Sequence, residues 1–77
     1  MFSAADITPT GPVPITAYNG YEVERDGELL GLVTAPTADL VNRGIDPLTH
    51  VVDRLNELER EWGFERLANE LSTGITL

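Results

Sequence analysis

One amphipathic stripe, and the phase change that ends it, constrains this 77-residue chain more than any other feature. Leu48, Val51, Val52, Leu55, Leu58 and Trp62 recur every three or four residues, the repeat of a helix that buries one face. Asp46 is placed to cap that helix and Pro47 fits its first position, where the missing N–H costs nothing. The spacing therefore predicts a helix over 46–62. Gly63 follows. Beyond it the apolar residues are Phe64, Leu67, Ala68 and Leu71, and at about 100° per residue they would lie on roughly the opposite side of a continuous helix. Two readings are open. Either the helix breaks at Gly63, where glycine is unfavourable in a helix interior, and turns back to share one core. Or it runs on and offers its second apolar face to a partner. Residues 72–77 have no periodicity.

The segment before the stripe reads as strands. Asn19-Gly20 and Asp26-Gly27 both supply the positive φ that a two-residue hairpin turn requires, so residues 15–33 are expected to form an antiparallel meander of two or three strands. About Asp26-Gly27, Val23 would face Leu30 and Tyr21 would face Leu32. That register gathers Tyr18, Tyr21, Val23, Leu30 and Leu32 on a core face. It leaves Ala17, Glu22, Glu24, Leu29 and Val33 on the other. Residues 37–43 read as a short helix, with Thr37 as N-cap, Gly44 just past its end and Ile45 folding back on Leu40 or Val41.

Residues 1–14 hold Pro9, Pro12 and Pro14 and are expected to be an extended arm rather than a helix. The arm carries Phe2, Ile7 and Val13, apolar residues that a purely solvated tail does not need. It is therefore expected either to be disordered or to order on a neighbouring subunit. The expected architecture is a single small α+β domain: the arm over 1–14, then a domain over 15–77. In that domain one face of the meander packs on the Leu48–Trp62 stripe.

Charge and residue types narrow the function. Thirteen acids against five Arg give a net charge of −8, with no Lys and no Cys. A surface of that sign repels a phosphate backbone and anionic membranes, so direct nucleic-acid binding is not expected. No run approaches the 18 or so apolar residues of a membrane span, and the first residues lack the basic and apolar regions of a secretory leader. The expected location is the cytoplasm or an assembled particle. Without Cys there are no disulfides and no thiolate metal sites. Ser3 and Ser72 sit near the ends, and no glycine-rich phosphate loop is present. Neither catalytic residues nor a cofactor is expected. His50, Asp53, Glu57 and Glu61 are spaced for one face of the long helix, but any acid-rich helix face produces that pattern, and no metal site is assigned to it.

What remains is association. The residues singled out for partner contact are Phe2, Ile7 and Val13 on the arm, exposed Leu29, the acids Asp53, Glu57 and Glu61, and Trp62 with Phe64 around the phase change. The acids form a like-charge ladder that a basic surface would relieve. Trp is enriched where binding energy concentrates. The expected function is a non-enzymatic protein-interaction module, an accessory or decoration subunit of a larger assembly such as a virus particle, binding another protein or itself. The alternative is an acidic inhibitor or nucleic-acid mimic that occupies a basic site on a partner.

Overall fold

Two consecutive residues with positive φ, Asp26 (53°) and Gly27 (80°), make the tight hairpin on which the sheet is built. The computed structural model describes residues 1–10 and 17–77. In it the hairpin joins β2 (Asn19–Arg25) to β3 (Glu28–Ala35). A single 3-10 turn (Ala4–Asp6) leads into β1 (Ile7–Pro9), which pairs antiparallel with β2. After β3 come α1 (Thr37–Asn42), α2 (Pro47–Trp62), α3 (Phe64–Thr73) and β4 (Ile75–Thr76), which pairs parallel with β3. The sheet order is β1-β2-β3-β4 and the helices cover one of its faces. The α+β architecture is the one the sequence leads to, with a fourth, parallel strand that periodicity did not reveal.

The hairpin register departs from a simple ladder. Arg25 pairs with Glu28 and Glu24 with Leu29, but Val23 then pairs with Gly31, so Leu30 is an extra residue on β3. Such a bulge inserts one residue against the partner strand and shifts the alternation beyond it. Tyr21 consequently faces Val33 and Asn19 faces Ala35. The core face is Tyr21, Val23, Val33 and Ala35, with Leu30 packed partly against it. This corrects two expectations. Leu32, assigned to the core by the unbulged register, is 48% exposed, and Val33, assigned to the outside, is 1% exposed. Tyr18 is also on the surface. Asn19-Gly20 is not a turn either. Both residues lie inside β2, and the Gly20 carbonyl accepts hydrogen bonds from the Thr10 N–H (3.1 Å) and hydroxyl (3.2 Å).

Gly31 is required by close approach. A Cβ there would overlap the Leu71 carbonyl and come within 2.9 Å of the Ser72 nitrogen. The end of α3 thus rests directly on the β3 backbone, which is how Leu67 and Leu71 reach full burial.

The helix signals act where the sequence places them, with one exception. The Asp46 carboxylate accepts from the Thr49 N–H at 3.0 Å, and Pro47 opens α2. Past α1, Gly44 takes φ 76° while the Gly44 and Ile45 N–H groups donate to the Val41 and Leu40 carbonyls, closing the helix end. Thr37 is the exception. Pro36 holds the cap position, and Thr37 is buried at the first helical residue. Its hydroxyl donates to the Ala35 carbonyl (3.0 Å) and accepts from the Asn19 N–H (3.2 Å), tying α1 to the starting end of β2.

Of the two readings of Gly63, the break is the one adopted. Its φ of 87° and ψ of 157° end α2 and begin α3. Val51, Leu55 and Leu58 of α2 then share one core with Leu67 and Leu71 of α3 and with the sheet. Phe2 and Ile7 are in that core too, 3% and 5% exposed.

Gly31→Ala is expected to destabilise the fold by at least about 2 kcal/mol, because neither contacting backbone can yield without moving α3. Gly20→Ala meets only the end of the Thr10 side chain and is expected to cost much less. Urea unfolding of the two variants checks the difference.

Candidate functional site: the open face of the sheet

The partner-contact residues read from the sequence do not form one site. Phe2 and Ile7 are used internally, and Val13 lies outside the described residues. Asp53, Glu57 and Glu61 are exposed along α2, with Glu57 held by Arg54 at 2.8 Å. Glu65, four residues beyond Glu61, lies past the break at Gly63 in the first turn of α3. His50 does not stand with these acids in a ligand cluster; its Nε2 lies 3.0 Å from the Leu77 carbonyl. Among the described residues no group of three or more His, Asp or Glu is placed to hold a metal ion. Trp62 is half-buried against the core, with the Arg66 guanidinium over its ring at 4.6 Å.

What the fold does bring together is Phe2 and Phe64, through Arg25. The Arg25 guanidinium lies 4.0 Å from the centre of the Phe2 ring and 4.7 Å from that of Phe64. Its two terminal nitrogens donate to the two oxygens of Glu59 at 2.9 and 3.0 Å. One Asn56 amide satisfies both main-chain groups of Phe2: its Oδ1 accepts from the N–H at 2.7 Å and its Nδ2 donates to the carbonyl at 3.0 Å. The Met1 amino group adds a looser contact to Glu59 at 3.5 Å. The paired hydrogen bond to Arg25 holds the Glu59 carboxyl below its ordinary range, against the opposing effect of burial, and raises Arg25 in turn. This cluster is a fastening. It locks the first residues, the end of β2, α2 and α3 to one another and leaves no reactive group available.

Among the described residues, the surface that no element covers is the face of the sheet turned away from the helices. The bulge at Leu30 arranges it. On β2 the residues turned outward are Glu22 and Glu24, and directly opposite them on β3 stand Leu32 and Leu29. Leu29 is 56% exposed and Leu32 48%. Two rungs of the ladder therefore each present one carboxylate beside one leucine, an acidic row along β2 and an apolar row along β3. Thr8 flanks Glu22 on β1, and Thr34 and Thr76 continue the face on β3 and β4, their hydroxyls 3.0 Å apart. An open depression of about 240 Å³ lies beside Leu32, lined also by Gly74, Ile75 and Thr76. Among the described residues neither Glu22 nor Glu24 has an ion-pair partner.

Among the described residues, Leu29 is thus the one member of the expected set on this face. Leu32, Glu22 and Glu24 belong with it, and sequence reasoning placed Leu32 in the core. The available signal was Gly31, since a lone glycine within an apolar strand marks a bulge or a close backbone approach. Here it marks both.

Comparison with protein families, with curated proteins and with solved structures finds no match for this chain. No helix among the described residues is long and apolar enough to cross a membrane.

Arg25→Ala is expected to cost about 2 kcal/mol in urea unfolding, from the lost charged hydrogen bonds and ring contacts at a site only about one-fifth exposed. Arg25→Lys, which keeps the charge but not the planar fork, is expected to recover less than half. The pH dependence follows from the lowered Glu59. A carboxyl whose folded pKa is depressed adds stability above its unfolded value, about 4.3, and loses it as pH falls through the folded value. Glu59→Gln should therefore flatten the decline in stability below about pH 4.3, as measured by unfolding across the acid range.

Proposed function

We propose that this chain is a non-enzymatic protein-interaction module, an accessory subunit of a larger assembly such as a minor component of a virus particle. The observation that carries the reading is the open sheet face. A small domain that buries Phe2 and Ile7 with Val51, Leu55, Leu58, Leu67 and Leu71 still leaves two leucines of its central hairpin about half exposed. Exposed apolar side chains grouped on one regular surface are the usual mark of a contact site. The chain's other chemistry is occupied in structure: Arg25 and Glu59 fasten the fold, and the His50 ring meets the Leu77 carbonyl.

The alternative is an acidic mimic that occupies a basic site. Exposed Asp53 and Glu61 on α2 support it. The Arg54–Glu57 pair within that row works against it, because it neutralises the middle of the ladder.

The test is capture from the native source by the purified chain, followed by mass spectrometry. The comparison proteins are a Leu29→Ser/Leu32→Ser variant and an Asp53→Asn/Glu61→Gln variant, each shown by circular dichroism and unfolding to keep its fold. The interaction-module reading expects a partner held by the wild type and by the α2 variant but lost from the sheet variant. Loss with the α2 variant alone favours the acidic mimic. No specific retention, together with a monomer by light scattering, counts against both.

A further inference from the structure

The open face also carries information about the chemistry of what covers it. This inference rests on the interaction-module reading and narrows it. The acidic row and the apolar row are in register: Glu24 is opposite Leu29 and Glu22 is opposite Leu32. Anything that covers the leucines must also desolvate the carboxylates next to them. A buried carboxylate without a cation or hydrogen-bond donors is strongly unfavourable, so the covering surface has to bring its own.

A second copy of this chain is poorly suited to that task. No Arg is available on this face. Arg25 is consumed by Glu59 on the inner side of the sheet, Arg54 and Arg60 belong to α2, Arg66 covers Trp62 and Arg43 lies beyond α1 beside Asp39. Two such faces apposed would bring four unneutralised carboxylates into one interface. The net charge of −8 adds to that repulsion.

We infer that the open face docks a basic amphipathic segment of another protein, whose apolar side chains cover Leu29 and Leu32 and whose Lys or Arg side chains pair with Glu22 and Glu24. The depression beside Leu32 receives one apolar anchor of that segment. Anionic membranes and nucleic acids are excluded as occupants by the same charge that favours a basic protein surface.

The experiment is a titration of the isotope-labelled full chain with three synthetic helical peptides of one spacing, Leu/Lys, Leu/Gln and Leu/Glu, followed by backbone amide NMR. The Leu/Lys peptide is expected to bind, with the largest shifts over residues 22–24 and 29–34. Its affinity should fall at least about tenfold in Glu22→Gln/Glu24→Gln and again in Leu29→Ser/Leu32→Ser, and the Leu/Glu peptide should not bind. Affinity should also drop with added salt, as it does for solvent-accessible ion pairs. Shifts centred on Asp53, Glu57 and Glu61 would overturn the inference, as would equal affinity for the Leu/Gln peptide or no binding of the Leu/Lys peptide. Concentration-dependent dimerisation of the chain alone, abolished by Leu29→Ser/Leu32→Ser, would make the occupant a second copy and overturn it as well. A natural partner captured through the leucines, but unaffected by Glu22→Gln/Glu24→Gln and by salt, would refute the charge requirement while leaving the interaction-module reading intact.

Discussion

The paired hydrogen bonds between Arg25 and Glu59 join parts of the chain that local structure alone would leave apart. They connect the tip end of β2 to the last turn of α2. Because the guanidinium also lies over the Phe2 and Phe64 rings, the same side chain holds the first residues and the start of α3. A domain of this size has little apolar surface to bury and no disulfide to help it. Recruiting Phe2 and Ile7 into the core, under an ion pair only about one-fifth exposed, is how this chain enlarges that core. The acidic excess makes the arrangement more consequential, since one of only five cations is committed to it.

Local signals were readable where local chemistry decides the outcome. Asp46-Pro47, Gly44-Ile45 and Asp26-Gly27 each act through hydrogen bonds or dihedral angles of neighbouring residues, and each appears in the fold as the sequence implies. The break at Gly63 was one of two open readings, and long-range packing decided it, because only a turn lets both apolar stripes reach the same sheet. Pairings between distant residues were not readable. Nothing near Ile7 indicates that it lies opposite Val23, and Ile75-Thr76 is too short for alternation to show.

The candidate site shows the same limit in sharper form. Its composition depends on one extra residue, Leu30, which reverses the facing of everything beyond it on β3. Leu29 was identified as exposed because it precedes the bulge. Leu32 and Val33 follow it and exchanged places. Next to the bulge lies a contact far away in sequence, the seating of α3 on Gly31. Sequence reading thus placed Glu22, Glu24 and Leu29 together on the outer face correctly and missed Leu32, which stands opposite Glu22.

The two edges of the sheet bear on how the molecule associates. Among the described residues its outer strands are β1, three residues long and ending in Pro9, and β4, two residues long. Proline offers no N–H to an incoming strand, and so short an edge offers few groups in all. Growth of the sheet by strand addition, the common route from a small β-containing protein to fibres, is therefore blunted at both sides. A chain can display leucines on its sheet at modest aggregation risk when its borders resist templating. On the flat side, two copies meeting face to face would bring the carboxylates beside those leucines against one another.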